Sequence, residues 1–258
     1  MPGPEVTEAI CLSVQKFSET SKIAVLYTRA WGRLSVIAKG AFRPKSQFWG
    51  HLEPLSIAEC VIYKKPREQL QLLSSCRALV PWLPLTNSLP CSGYAFAVAE
   101  FLYRHTREEG DEAMFHLATS TLTTMAQLPD TLLERQFWGF LLGALAHLGF
   151  RPQFDQCDTC RRKPRDDQTV IFDAAAGRIV CRTCRQERPE AMRAHVISPM
   201  ALSELRARQA APILDPGEPA IDPEALTQLA RAIEDFARYH LGGAWIKSLD
   251  FARRMESL

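Results

Sequence analysis

Four cysteines constrain what this chain of 258 residues can fold into more than any other feature. They stand as Cys157-x2-Cys160 and Cys181-x2-Cys184, with 20 residues between the pairs. Two C-x-x-C turns at roughly this separation form the spacing of a four-thiolate zinc site. Each turn can aim two sulfurs at one point about 2.3 Å away, and the second turn completes a tetrahedron. Thr169–Phe172 and Gly177–Val180 read as a hairpin that carries the second pair back to the first. Arg161, Arg162, Arg182 and Arg185 favour thiolates and offset the charge of a metal bound by four of them. A redox pair would need a single C-x-x-C in a βαβ context, which this sequence lacks. The expected cofactor is one structural Zn2+ per chain, since four sulfurs leave no open coordination position. Cys11, Cys60, Cys76 and Cys91 are scattered through apolar stretches and read as small core residues.

Around this centre the periodicity changes along the chain. Residues 7–80 read as strands: Ala9–Val14, Lys22–Thr28, Arg33–Ala38, Leu55–Tyr63 and Leu70–Leu79. Arg29–Gly32 is a turn in which Gly32 is free to take a positive φ. Five strands in so short a span suit a small closed barrel such as an OB-fold. Pro81, Pro84 and Pro90 mark a boundary, after which the pattern is helical. Tyr94, Val98, Phe101 and Leu102 share one face. Phe115, Leu122, Met125 and Ala126 make a second stripe. Leu133, Phe137, Phe140, Leu141, Ala144 and Leu148 make a third. A short helix covers 198–208, and the proline-rich stretch 211–223 reads as a linker. Asp222-Pro223-Glu224 then starts a helix, with Asp as N-cap and Pro in the first turn. The expected fold is α+β and multidomain. Residues 1–80 read as the barrel, 81–150 and 196–258 as helical, and 151–195 as the four-cysteine segment between them.

The net charge of +2 conceals an alternation. Residues 1–80 carry eleven basic and six acidic side chains, and 151–195 carry ten and seven. The segments after each are net acidic. Basic segments attract polyanions. The loop Lys39-Gly40-Ala41-Phe42-Arg43-Pro44-Lys45-Ser46-Gln47-Phe48-Trp49 mixes cations and aromatics in the way single-strand binders require. Lys64, Lys65 and Arg67 could extend the track at the end of the next strand. Phe42, Phe48 and Trp49 either stack on bases or plug the barrel end, and the sequence leaves both open. Enzyme motifs are missing: there is no G-x-x-x-x-G-K-[ST], G-x-S-x-G, H-E-x-x-H or G-x-G-x-x-G, and the six histidines are dispersed. No enzymatic activity is expected. No stretch approaches the roughly 18 apolar residues of a membrane span, and the first residues resemble no export signal, so the expected location is the cytoplasm.

Several motifs, in order, resemble one bacterial family. Ala9-Ile-Cys-Leu-Ser-Val14 with Ser18-Glu-Thr20 is similar to the opening of RecO, a recombination mediator. Thr28-Arg-Ala-Trp-Gly-Arg33, Ala38-Lys-Gly-Ala41 and Lys45-Ser46 resemble its hairpin and basic loop. Phe137-Trp-Gly-Phe-Leu-Leu142 and Leu148-Gly-Phe-Arg-Pro152 lead into Cys157, as in zinc-bearing members. Gly177-Arg-Ile-Val-Cys181 and His240-Leu-Gly-Gly-Ala-Trp-Ile-Lys-Ser248 resemble its later signatures. The resemblance implies that 1–80 is an OB-fold nucleic-acid-binding domain, 81–150 and 196–258 are the two parts of a helical domain, and 151–195 is an inserted four-cysteine zinc finger. It implies binding of single- and double-stranded DNA, annealing of complementary strands, and action with RecR to load RecA onto DNA coated by single-strand DNA-binding protein. Contact with the C-terminal tail of that coating protein is implied too, as is a nucleoid association during repair, with no membrane involvement. Arg33, Lys39, Arg43, Lys45, Lys64, Lys65 and Arg67 are the candidate DNA-binding residues, and Cys157, Cys160, Cys181 and Cys184 the metal ligands. The rival readings are a zinc-ribbon adaptor that binds only proteins and a DNA-processing enzyme with an unrecognised site.

Overall fold

Alternating buried and exposed residues through the first 80 positions produce five strands that close on themselves. In the computed structural model, which describes residues 3–65, 68–187, 193–242 and 245–256, they are β1 (Glu5–Lys16), β2 (Lys22–Thr28), β3 (Gly32–Ala38), β4 (Ile57–Tyr63) and β5 (Leu70–Val80). Their order around the barrel is β1-β2-β3-β5-β4. β1 pairs with β2 through one part of its length and with β4 through the other, and a bulge between Cys11 and Ser13 lets it bend between them. A parallel pairing of β3 with β5, Ser35 with Leu70 through Ala38 with Leu73, closes the ring. The OB-like front end expected from the sequence is therefore present. β1 is longer than expected, because its polar ends are held by pairing rather than by propensity.

The barrel interior is narrow and filled by Ala9, Cys11, Leu26, Val36, Ala38, Cys60, Ile62 and Leu73, among others. Cys11, Cys60 and Cys76 are buried there, and Cys91 is buried in the helices that follow. Burial pushes the Cys91 thiol up to about 11 and the Cys11 thiol higher still, as suits core residues. Gly32 takes φ 67°, and a Cβ there would lie 2.3 Å from the carbonyl oxygens of Arg107 and Glu109. The hairpin turn thus needs glycine for its conformation and for the close approach of the backbone of residues 107–109.

The chain divides into two compact units, Met1–Asp130 with Ile246–Leu258 and Thr131–Trp245. In the first, a short 3-10 helix (Leu83–Thr86) precedes α1 (Leu89–His105) and α2 (Glu112–Met125). Ser88 caps α1 by accepting from Cys91 N, and Asp111 caps α2 by accepting from Met114 N. In the second unit, α3 (Asp130–His147) precedes a four-stranded sheet ordered β6-β8-β7-β9: β6 (Gln153–Cys157), β7 (Val170–Asp173), β8 (Arg178–Cys181) and β9 (Ala194–Ile197). Short α4 (Arg182–Glu187) lies between β8 and β9, and α5 (Pro199–Ala210) and α6 (Pro223–His240) follow. Asp222 caps α6 through Ala225 N at 2.9 Å, as its sequence signature predicts. The last helix, α7 (Lys247–Glu256), was not legible as an element. It packs on α1, where a Cβ at Gly93 would meet Ala252 Cβ at 2.6 Å. The Glu100 carboxylate accepts from the N–H and hydroxyl of Ser248, both at 2.8 Å, and so caps α7. Among the described residues no helix is long and apolar enough to cross a membrane.

The stretch 211–223 is not the free linker expected. Leu214 is buried and its N–H donates to Gln136 Oε1 at 2.8 Å. Gln136 Nε2 donates to Pro212 O, and Arg135 Nη1 donates to Pro219 O. Prolines stiffen the segment, and side chains of α3 take up its backbone groups. Arg135, only 5% exposed, also forks onto Glu204 (2.7 and 2.8 Å) and reaches Glu218 at 2.8 Å. Arg208 pairs with the same two acids at 2.9 and 3.0 Å. Two guanidinium groups and two carboxylates therefore balance inside this unit. Removing one partner strands a buried charge. Arg135→Ala is expected to destabilise the second unit by about 3–5 kcal/mol in urea unfolding, and a loss below about 1 kcal/mol would contradict this reading of the network. Burial opposes ionisation of Glu218, but the Asp215 N–H and the two guanidinium groups outweigh it and hold the carboxyl below its usual range. Its contribution is thus full above the ordinary glutamate range and lost as pH falls through the lowered folded value. The stability advantage of wild type over Glu218→Gln should shrink as unfolding is measured at successively more acid pH, and an advantage that grows on acidification would refute the assignment.

Candidate metal centre and nucleic-acid interface

The second unit gathers Cys157, Cys160, Cys181 and Cys184, whose sulfurs all lie within 4.8 Å of one another. Sequence spacing dictates how. Cys157 ends β6 and Cys181 ends β8, and these two strands are parallel neighbours. Cys184 sits in the first turn of α4, which starts at the next residue after β8. The β7–β8 hairpin brings the pairs together. Its turn is set by Asp173, whose Oδ1 accepts from Ala175 N and Ala176 N, and by Gly177 at φ 64°. A Cβ at Gly177 would meet the Phe236 ring at 2.7 Å. On the first pair, Arg161 takes the left-handed conformation (φ 59°) while its N–H donates to Cys157 O.

Four sulfurs bound at 2.3 Å to one ion stand about 3.8 Å apart. Cys160 and Cys181 Sγ are 4.0 Å apart. The donor set, its spacing and its closeness fit a zinc ion. Electrostatics agree. Burial opposes ionisation of Cys157, but N–H groups of Cys160, Cys181 and Thr159 outweigh it and bring the thiol down to about 7. The Cys181 N–H donates to Cys157 Sγ at 3.3 Å. The Cys181 sulfur first, then burial and the rest of the cluster, push the Cys184 thiol up to about 12. Such a cluster resists shedding all four protons until a cation supplies the compensating charge. Arg162, Lys163 and Arg182 are exposed around it, while Asp158 holds Arg178 at 2.8 Å.

The first unit carries the basic loop between β3 and β4. The loop is a chain of tight turns: Arg43 N donates to Gly40 O, Ser46 N to Arg43 O, Trp49 N to Ser46 O, and Leu52 N to Phe48 O. Its three aromatics divide. Phe48 is 3% exposed and enters the barrel core with Leu52, whereas Phe42 is 46% exposed and Trp49 82%. Phe48 is therefore the plug and Trp49 faces solvent, a division that composition alone left open. Lys22, Phe42, Arg43, Pro44, Lys45 and Trp49 line a groove of about 350 Å3.

Cations in and around the groove differ in freedom. Lys22 is paired with Glu53 at 2.9 Å and lies 5.3 Å from the centre of the Phe42 ring. Lys39, Arg43 and Lys45 are exposed and have no acidic partner among the described residues. Lys64 lies over the Trp31 ring at 5.0 Å, and Lys65 pairs with Glu68 at 3.1 Å. Arg33 is turned to the helices of its own unit: its guanidinium donates to Tyr103 O and lies 5.4 Å from the Tyr103 ring centre. Arg67 lies outside the described residues. Sequence reasoning missed Lys22 and Glu53 as groove residues, because each is separated from the loop in sequence or reads as an ordinary strand-end charge.

Two family models cover nearly the whole chain. The description Recombination protein O N terminal matches residues 1–82, which is the barrel, and Recombination protein O C terminal matches residues 88–250. The chain belongs to the RecO family. A DNA repair protein RecO of Myxococcus xanthus is 30% identical over 249 residues, covering 95% of each chain. One from Rhodopirellula baltica is 30% identical over 206 residues, covering 79% of this chain and 76% of its own. One from Syntrophobacter fumaroxidans is 31% identical over 188 residues, covering 72% and 73%. The family expected from the motifs is thus the family found.

Proposed function

We propose that the protein is a DNA repair and recombination mediator that works without bond chemistry. It binds single- and double-stranded DNA, anneals complementary strands, and with RecR promotes loading of RecA onto DNA coated by single-strand DNA-binding protein. The observation that carries this reading is the groove on the barrel loop, where Arg43 and Lys45 have no ion-pair partner among the described residues and stand beside exposed Phe42 and Trp49, with Lys39 at the loop's start. Membership of the family supports the recombination partners.

Annealing requires two like-charged strands to approach. Cations that neutralise phosphates lower that repulsion and release condensed counter-ions. Lys39, Arg43 and Lys45 carry this role, with Lys64, Lys65 and Arg67 as a secondary track. Arg33 is left as a structural tie to α1. Residues 1–80 act as the nucleic-acid-binding domain. The four cysteines would hold one zinc ion. A closed shell of four sulfurs supplies no open position for catalysis, so the ion's contribution is folding energy. Asp173, Gly177 and the N–H groups around Cys157 shape the cage.

Affinity for a single strand should fall steeply as salt is raised, and reversing Lys39, Arg43 and Lys45 to Glu should flatten the log–log slope by about 2. A wild-type affinity that does not change with salt would sink the proposal. Elemental analysis of folded protein should return one zinc per chain, and Cys181→Ser should lower both zinc content and thermal stability. Metal-free protein with the wild-type melting temperature would contradict the structural role.

A further inference from the structure

We infer that Trp49 is the base-stacking residue through which the barrel groove prefers unpaired DNA to duplex. The inference rests on the nucleic-acid reading above and concerns what the groove selects.

The position of the Trp49 side chain is costly. A large indole left 82% exposed forgoes the stabilisation that burial would give it. Here the exposure is built in. Phe48 on one side and Leu52 just beyond are buried in the barrel core, and Trp49 N donates to Ser46 O at 3.2 Å. With its neighbours fixed inward, Trp49 is carried outward on an ordered turn, at the lip of a groove that also contains Arg43 and Lys45. A platform fixed in advance binds with less loss of conformational freedom.

The neighbouring aromatics are not equivalent. Phe48 is the plug. Lys22 lies over the Phe42 ring, so one face of that ring is already taken. Trp31 is half-buried beneath Lys64. Trp49 has no ring or cation partner among the described residues, and it offers a whole indole face beside two unpaired cations.

Strand selection follows. Arg43 and Lys45 recognise phosphates, which both forms of DNA carry, so they bind either without preference. Bases in a duplex are already stacked on each other and present only their edges. An unpaired base can lie against an aromatic ring, worth about 1–3 kcal/mol per base whatever its identity. The cations therefore set affinity, and Trp49 sets the difference between single strand and duplex.

The test uses the full chain with two labelled probes, an oligothymidylate and a duplex of equal length, read by fluorescence anisotropy at fixed salt. Trp49→Ala should weaken oligothymidylate binding about tenfold and change duplex binding by less than about twofold. Trp49→Phe should restore most of the loss. Oligothymidylate should also quench the intrinsic emission of wild type, and the quench should be absent in Trp49→Phe. Equal losses on both probes, or no loss on either, would overturn the inference while leaving the DNA-binding reading in place. Failure of wild type to bind either probe would remove the reading beneath it.

Discussion

Closure of the barrel is the constraint on which the proposed DNA face depends. β3 and β5 can pair in parallel only if the chain leaves β3, crosses the barrel end and returns as β4 before β5 begins. That crossing is the basic loop. Its path is pinned where Phe48 and Leu52 enter the core left between the strands, and small residues such as Ala9, Ala38 and Cys60 leave space for them. Once Phe48 is inside, its neighbour Trp49 is held outside, and the loop cations project from a backbone that is itself hydrogen-bonded turn by turn. The proposed affinity for a polyanion would in this sense be a consequence of packing.

The second unit solves a different problem. Its sheet strands are four or five residues long, too short to bury a substantial core alone. Two devices compensate. The cysteine cluster joins β6, β8 and α4 at one point, and the Arg135–Glu204–Arg208–Glu218 network fixes the proline-rich stretch against α3 and α5. A Cβ at Gly139 would lie 2.2 Å from Pro212 O, so even a methyl group on α3 would push that stretch away. Both devices use polar or charged groups where a larger unit would use apolar ones.

Much of this was legible from the chain because the signals are local. Alternation marks β2 to β5, the capping sequence Asp222-Pro223-Glu224 marks α6, and the two C-x-x-C pairs mark a cluster that the fold does bring together. What was not legible depends on distant partners. Arg135 and Glu204 are 69 positions apart, and nothing near either announces the other. The prolines of 211–223 suggested freedom, yet their carbonyls are held by α3. α7 draws its cap from Glu100, far back in the chain. Adjacent Phe48 and Trp49 look alike in composition, and only the turn geometry decides which is core and which is surface. Arg33 sits in a motif that resembles the family's hairpin, but a contact with Tyr103 takes its guanidinium.

The proposed role of this protein is to bring DNA strands together through the barrel loop. The most direct measurement is annealing of two complementary strands already coated with single-strand DNA-binding protein, comparing wild type with a variant in which Lys39, Arg43 and Lys45 are reversed in charge. Fast annealing by wild type, and its loss in a variant that remains folded, is the expected result. Absence of annealing by well-folded wild type, or equal annealing by both proteins, would contradict it.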